Sequence, residues 1–444
     1  MVILGLGSNV GDRLVNLRKA LRYIKQLPEI KVLQASPVYI SDALLPDLAP
    51  PDWDQPYLNL ALLCETSLAP LELLKQLKNI EWTIGRKPEA RHWGPRILDI
   101  DILAWNDTII QNDILTIPHE NLQERPFALW PLADVAPLWR FPLEGQNHDK
   151  TAAEMVEKWG SRFSGNAPLQ TKQIYQRIDT PALVGVINVT PDSFSDGGKF
   201  LNTEKALQQA LSLVYSGAEI IDMGAESTAP GANAISPEEE WLRLEPVLKA
   251  IHAAGNQFLI PPKISIDTRH PDVAAKALTV GIDWVNDVTG LQNPAMREIV
   301  LASKADCVVM HHMSIPASSE HVLPRHQDAV KLVYEWGAKH LDELEREGIA
   351  RERIIFDPGI GFGKVPEHSL DLIKHIDVFN QFGTRLLIGH SRKSFFSLFT
   401  QQPFYNRDIE TLAVTLYLAN HSVDYLRVHN IEMCARGLKV SAAL

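Results

Sequence analysis

Two aspartates spaced two residues apart, Asp99 and Asp101, stand in the run H-W-G-P-R-I-L-D-I-D-I-L from His92 to Leu103. The alternation of isoleucine and aspartate reads as a strand, on which side chains repeat with period two. Both carboxylates then share a face, about 7 Å apart at their Cα atoms. Like charges at about 5 Å repel by on the order of 3 kcal/mol at an effective dielectric near 20, and divalent cations between them remove that repulsion. Arg96, behind a tight W-G-P turn, suits a phosphate. Two carboxylates for Mg2+ and an arginine for phosphate are the parts of a phosphoryl-transfer site. The plainer reading of a D-x-D pair is a solvated sheet edge. The flanking Ile97, Leu98, Ile100, Ile102 and Leu103 argue for an embedded strand instead.

A second constellation lies beyond residue 180. Short β-rich runs at 183–189, 218–224, 263–268, 284–288, 307–312, 353–357, 386–390 and 425–429 alternate with helical segments, one of which opens with the capping box Ser236-Pro237-Glu238-Glu239. Eight such units predict an α/β (β/α)8 TIM barrel, with a doubly wound open sheet as the competing architecture. In a barrel the C-terminal strand ends build the active site. Here they carry Asn188, Asp222, Asp267, Asn286 with Asp287, His311 with His312, Asp357, Ser391-Arg392-Lys393, and Arg427 with His429. One polar strand end is usually a cap or a turn residue, but this mixture of carboxylates, amides and bases predicts a polar ligand site. Asp267 and Asp357 beside Asn286 suit a fused heterocycle with an amidine-like edge, whose two N–H groups a carboxylate can accept. Lys393 and Arg427 offer cations for a carbonyl oxygen or a pyrophosphate. The glycine-rich run 357–364 allows close backbone approach or is simply a tight βα turn. The polar stretch 190–202 reads as a mobile lid.

The elements that must position Asp99 and Asp101 come earlier. Strands at 2–8, 31–40 and 57–67, helices at 12–27 and 70–84, and the D-x-D strand give the order β-α-β-β-α-β of an α+β ferredoxin-like domain. Two long loops, 42–56 and 86–96, read as functional segments. A short helix at 149–159 precedes 161–178, whose weak periodicity reads as a linker. The expected organisation is a first domain over 1–160, a linker over 161–178 and a second domain over 179–444.

Composition bounds the function. The 444 residues carry a net charge of −11, which disfavours nucleic-acid binding. No apolar run reaches membrane-spanning length. Cys64, Cys307 and Cys434 show no metal-ligand spacing, and their sparse, odd count fits a reducing compartment. With no basic stretch ahead of the first strand, a cytoplasmic location is expected.

With these residues assembled, residues 1–160 resemble 6-hydroxymethyl-7,8-dihydropterin pyrophosphokinase. The matching runs are Gly7-Ser8-Asn9, Tyr57-Leu58-Asn59, Gly94 to Asp101, Pro118-His119 and Arg125-x-Phe127. Residues 180–444 resemble dihydropteroate synthase through Asn188 to Gly198, Gly224 to Thr228, Ile266-Asp267-Thr268, Val285-Asn286-Asp287, Asp357-Pro358-Gly359, Ser391 to Ser394 and Arg427-Val428-His429. The pair is similar to a bifunctional fusion of consecutive folate-synthesis enzymes. For the first domain the resemblance implies ATP and two Mg2+ ions on Asp99 and Asp101, with Arg86, Arg96, Thr116, His119 and Arg125 on the nucleotide. Ser41, Ala43, Tyr57, Asn59, Trp93 and Phe127 would hold 6-hydroxymethyl-7,8-dihydropterin. For the second it implies Asp267, Asn286, Asp357 and Lys393 on the pterin. The diphosphate would meet Asn188, Thr228, Arg427 and His429, with one Mg2+ on Asn188, and p-aminobenzoate would meet Thr228, Pro230, Phe362 and Ser391. Arg86, Arg96, Asp99, Asp101, Asp267 and Lys393 would carry the catalysis. A homodimer through the barrel is also implied. The chain departs from the resemblance at Pro88, His92 and Ala229, and its Arg-Val-His run ends in Asn430 where aspartate is usual. The competing readings are a pterin-binding methyltransferase for the barrel and a non-enzymatic pterin scaffold with one degenerate half. Ser391-Arg392-Lys393 and Arg427-x-His429 favour diphosphate chemistry over the first. The presence of Asp99, Asp101, Asp267, Asp357 and Lys393 argues against the second.

Overall fold

The computed structural model describes residues 1–442 except 47, 87–93, 175–176, 191–198, 227–233, 319 and 422, and leaves the side chains of 199–202 undescribed. The chain divides into two compact units, Met1–Asp179 and Thr180–Leu444.

In the first unit the elements run β1 (Val2–Ser8), α1 (Arg13–Lys25), β2 (Ile30–Ala35), β3 (Tyr39–Ser41), β4 (Tyr57–Thr66), α2 (Pro70–Ile84), β5 (Asp99–Trp105), β6 (Ile110–Gln111), β7 (Thr116–Ile117), α3 (Pro126–Val135), α4 (Ala152–Val156) and β8 (Lys172–Gln173). The main sheet is ordered β5-β1-β4-β3-β8 with β2 also on β4. Its four long strands therefore lie as β5-β1-β4-β2, the ferredoxin-like order. Asp12 starts α1 by accepting from the Val15 N–H, and left-handed Gly85 stops α2. Leu14, Leu17, Leu21 and Ile24 of α1 and Leu73, Leu77 and Ile80 of α2 are buried.

Three local departures from expectation have physical causes. The strand expected over 31–40 breaks at Ser36-Pro37, because a proline has no N–H to continue a ladder. The Ser36 hydroxyl instead accepts from the Ala61 N–H at 2.9 Å. Helix α3 was not anticipated: its run F-A-L-W-P-L-A-D-V is apolar nearly all round and shows no stripe. The segment 161–178, read as a linker, is part of the first unit. Its β8 pairs with β3, Arg162 pairs with Asp134, and Arg177 forks onto Asp179 at 2.8 and 2.9 Å. Such polar anchoring leaves no hydrophobic periodicity to read.

The second unit comprises β9 (Ala182–Asn188), α5 (Lys199–Tyr215), β10 (Ala218–Gly224), α6 (Pro237–Ala253), β11 (Lys263–Asp267), α7 (Pro271–Val280), β12 (Trp284–Asp287), α8 (Pro294–Ala302), β13 (Asp306–Met310), α9 (Ala329–Arg346), β14 (Ile354–Asp357), α10 (Pro366–Lys374), β15 (Arg385–Ile388), α11 (Asp408–Ala419), β16 (Tyr425–Val428) and α12 (Ile431–Ser441). Strands β9 to β16 form a closed parallel barrel, so the eight expected strands are all present. Ala182, Val184, Ile220, Trp284, Val308, Ile355, Leu387 and Tyr425 form one buried cluster of strand residues, and a larger apolar cluster includes buried residues of both strands and helices. Serine at 236 caps α6 as its sequence implies.

Candidate active sites

In the first unit, β5 runs antiparallel to β1 with Asp99 opposite Gly7 and Asp101 opposite Gly5. Glycine at both facing positions leaves the floor open: a Cβ on Gly7 would come within 3.2 Å of Asn59 Oδ1. A cavity of about 470 Å3 lies over this floor, with Ser41, Tyr57, Asn59, Arg96, Asp99, Asp101, His119, Arg125 and Phe127 in its lining. Nine of the expected residues thus meet in one space. Arg86 joins them through Asp99, donating from Nη1 to Oδ1 at 2.6 Å. Ala43 is buried between the lining residues Asp42 and Leu44. Thr116 lies in β7 and does not line this cavity. Trp93, Pro88 and His92 fall outside the described residues.

The two aspartates are electrostatically unlike. Burial pushes Asp99 up, but Arg96, Lys78 and Arg86 together hold it below the ordinary carboxylate range. Asp101 is raised, first by burial and then by the charge of Asp99. Lys78 Nζ lies 3.9 Å and His119 Nε2 3.8 Å from its carboxylate.

Several supporting residues escaped sequence reading. Glu81 is buried, accepts from the Ile100 N–H between the two aspartates at 2.6 Å and from Lys78 at 2.7 Å, and pairs with Arg86. Its signal was available, since it follows Leu77 by four residues on the buried face of α2. Asn9 accepts from the Arg96 N–H at 2.6 Å and Ser8 donates to the Ile97 carbonyl at 2.6 Å. The Gly7-Ser8-Asn9 run therefore fixes the turn that carries Arg96.

At the barrel mouth, register places Asn188 and Asp267 on either side of Gly224, and Asn286 beside Asp267. Arg427 Nε donates to Asp222 at 2.7 Å and its Nη2 to Asp267 at 3.0 Å, while Asn286 donates to Asp222 at 3.1 Å. Asp222, expected as a polar strand end at the mouth but given no ligand of its own, is the hub of this cluster. Its Oδ1 is buried with no hydrogen-bond partner among the described residues. Burial, then the charge of Asp222, pushes Asp267 up to about 7. Burial raises Asp357 to about 6 against the Gly359 N–H and Lys393. Lys393 is lowered to about 8 by burial and by Arg427, and its ammonium stands 4.2 Å from the centre of the Phe362 ring. His429 is lowered to about 4 by burial and by Arg427, and its Nδ1 lies 2.9 Å from the Ser391 hydroxyl.

Not every polar strand end faces a ligand. Asp287 accepts from Thr289 and from the Leu291 N–H, which closes the turn after β12. His311 is buried against Lys364 at 2.8 Å. Lys364 also reaches the Phe362 carbonyl at 3.0 Å and so holds the glycine-rich turn. At Gly359, φ is +68° and a Cβ would lie 1.9 Å from the His311 carbonyl oxygen, so this turn requires glycine. Asn188 is exposed at the end of β9. Thr228, Ala229, Pro230 and most of the stretch read as a lid fall outside the described residues.

A ring-sized cavity beside a carboxylate pair with arginines defines a phosphoryl-transfer domain. A barrel mouth of buried carboxylates, amide, lysine and arginine defines a heterocycle-binding one. Residues 3–137 match the family model of 7,8-dihydro-6-hydroxymethylpterin-pyrophosphokinase (HPPK), and residues 184–429 match that of pterin binding enzymes. The folate synthesis bifunctional protein of Chlamydia caviae is 37% identical over 448 residues, covering 99% of this chain and 97% of its own length. The mitochondrial folate synthesis bifunctional protein of Arabidopsis thaliana is 33% identical over all of this chain and 83% of its own. Among solved structures, dihydropteroate synthase from Anaplasma phagocytophilum with bound 6-hydroxymethylpterin-monophosphate superposes with a TM-score of 0.53 at 38% identity, covering 59% of this chain and 98% of that one. The enzyme from Thermus thermophilus with 4-aminobenzoate gives 0.52 at 33% identity, over 61% and 98% of the two chains. The chain belongs to the bifunctional folate-synthesis family. Its first domain is a hydroxymethyldihydropterin pyrophosphokinase and its second a dihydropteroate synthase, both transferases. Both families are Mg2+-dependent. Among the described residues no helix is long and apolar enough to cross a membrane.

Proposed function

We propose that ATP is the donor for the first domain and that the residues gathered in the 470 Å3 cavity divide its work. Tyr57, Asn59 and Phe127, with Ser41 and Ala43, hold the pterin. Arg86, Arg96, Thr116, His119 and Arg125 hold the nucleotide, and Trp93 joins the residues that hold the pterin. The pterin hydroxymethyl oxygen forms a bond to the β-phosphorus while the bond to the α-phosphate oxygen breaks and AMP leaves. Asp99 and Asp101 fit Mg2+ by donor type, and no third acidic, histidine or cysteine ligand joins them among the described residues. That suits a cation that takes most of its ligands from phosphate and water. Two such ions would neutralise phosphate charge there. Arg86, Arg96 and Lys78 meet the Asp99 carboxylate.

In the second domain Asp267, Asn286, Asp357 and Lys393 hold the pterin ring. Asn188, Thr228, Arg427 and His429 hold the diphosphate, and Thr228, Pro230, Phe362 and Ser391 lie along p-aminobenzoate. The exposed Asn188 amide can supply one oxygen to a single Mg2+ accompanying pyrophosphate. The C–O bond to the diphosphate breaks first, and the arylamine nitrogen then attacks the resulting pterin cation. Lys393 and Arg427 stabilise the departing anion in a largely buried setting where their charge is poorly screened. The orphaned Asp222 Oδ1 and the shared Arg427 are the support for a polar ring at this mouth. A barrel homodimer and a cytoplasmic location complete the reading.

One assay tests it. Supplied with ATP, Mg2+, 6-hydroxymethyl-7,8-dihydropterin and p-aminobenzoate, the chain should release AMP and dihydropteroate. Asp99→Ala should abolish AMP while leaving synthesis from supplied pterin diphosphate intact. AMP formation surviving that change would overturn the first assignment.

A further inference from the structure

Two turns carry Lys393 and His429 at the barrel mouth, and both are held from outside it by one residue. After β15 the chain passes through Ser391-Arg392-Lys393, with Arg392 at φ +58°. A non-glycine residue in the left-handed region persists only when its surroundings over-determine it. Here the Arg392 guanidinium forks onto Asp408, Nε at 2.7 Å and Nη2 at 3.0 Å, and the Arg392 N–H donates to Thr411 at 3.1 Å. Arg407 completes the grip by donating to the Lys393 carbonyl at 2.8 Å. All three partners belong to the start of α11, outside the expected binding residues. After β16, Asn430 directly follows His429. Its Oδ1 caps α12 by accepting from the Met433 N–H at 3.1 Å, and its Nδ2 donates to Asp408 Oδ2 at 3.0 Å.

We propose that Asp408 is a positioning residue for the synthase: by accepting from Arg392 and Asn430 at once it locks the turn bearing Lys393 to the turn bearing His429. The arrangement accounts for asparagine at 430. The amide caps the helix with its oxygen and still donates to the carboxylate, which an ionised aspartate cannot do. An aspartate there caps equally well, but sets two carboxylates against each other at hydrogen-bond distance. The identity of residue 430 is therefore tied to that of residue 408. Ser391 spans the same gap from inside, its hydroxyl 2.9 Å from His429 Nδ1.

The inference rests on the assignment of Lys393 and His429 to the pterin diphosphate; AMP formation by the first domain controls for the amount of enzyme, and the barrel transition in a thermal melt controls for folding of the second. Asn430→Asp, although it installs the usual residue, should raise the KM for pterin diphosphate roughly tenfold and leave AMP formation unchanged. Asp408→Asn with Asn430→Asp, which restores an amide opposite a carboxylate, should recover most of that loss. Asp408→Leu should raise the same KM without recovery by Asn430→Asp. A merely structural contact would lower the amount of active synthase, and hence apparent kcat, at unchanged KM. An unchanged KM in Asn430→Asp, or a double variant no better than the single one, overturns the proposal. Lys393→Ala run alongside separates the layers: full synthase activity in that variant overturns the site assignment itself.

Discussion

Asp99 lies on an antiparallel strand facing Arg86, Arg96 and Lys78, with a fifth of its side chain exposed. Asp267 ends a parallel strand beside Asp222, and the two share Arg427. Three cations around one carboxylate keep it ionised, as a site that meets metal and triphosphate requires. At Asp267, burial and the neighbouring Asp222 carboxylate, with Arg427 shared between the two acids, push the carboxyl up to about 7, as suits an edge that exchanges protons and hydrogen bonds with a ring. The two side chains are about equally exposed, 19% and 17%, so the ratio of acids to bases around each decides which chemistry it serves.

The sharpest break of this contrast is the isosteric amide. Asp99→Asn should cost AMP formation about a thousandfold, because the charge itself is needed. Asp357→Asn should lower synthase kcat/KM only about ten- to a hundredfold, since one acceptor oxygen remains for the ring. Equal losses in paired initial-rate assays would dissolve the distinction.

Titration sharpens it further. Synthase kcat/KM should fall below about pH 6–7 as Asp357 and Asp267 take up protons, and fall above about pH 8 as Lys393 loses its charge. Lys393→Arg keeps its charge at all these values and should erase the basic limb. A basic limb unmoved in that variant would assign it elsewhere. Asp99, held below its ordinary value, should itself contribute no acid limb to the pyrophosphokinase in this range.

Buried charge also has a stability cost that differs between the sites. The folded Lys393 value lies below its unfolded one, so its burial destabilises the barrel below about pH 8, and the cost fades as pH rises toward the unfolded value. Lys393→Met should therefore stabilise the barrel by about 1–3 kcal/mol at pH 7 while removing synthase activity. Thermal melts of the full chain should show the barrel transition rise at pH 7 and the gain shrink at pH 10. A variant less stable than the parent would mean that the pairing with Asp357 outweighs the burial.

How much of this was legible beforehand follows from the kind of signal each feature leaves. The barrel strands and the D-x-D strand are periodic and apolar, and their polar ends stand out against them. Residues that contact other side chains rather than ligand leave a weaker mark: Asp408 opens a helix that any acidic residue could open, and Asp222 was visible as a polar strand end but not as the partner of Arg427 and Asn286. Asp287 and His311 stood among the strand ends that predicted a ligand site, and both are taken up by protein partners instead. Segment 161–178 was legible only as aperiodic, because ion pairs and a two-residue strand anchor it.

The smallest expected effect concerns the glycine that faces each aspartate. Gly7 stands opposite Asp99, and Gly224 opposite Asp267. A Cβ at Gly7 would lie 3.2 Å from Asn59 Oδ1 and 3.6 Å from the Tyr57 ring, two groups assigned to the pterin. A Cβ at Gly224 would meet the Asp267 Cβ at 3.4 Å, an ordinary contact. Neither has the left-handed backbone that only glycine tolerates, so the cost of alanine is steric and local. Gly7→Ala should raise the KM for hydroxymethyldihydropterin about threefold to tenfold, from displacing one polar atom by a few tenths of an ångström. Gly224→Ala should change the synthase KM by less than about twofold, because Asp267 stays tethered by Arg427. A larger effect at Gly224 than at Gly7 would mean that the barrel mouth, not the open sheet, is the less tolerant of the two floors.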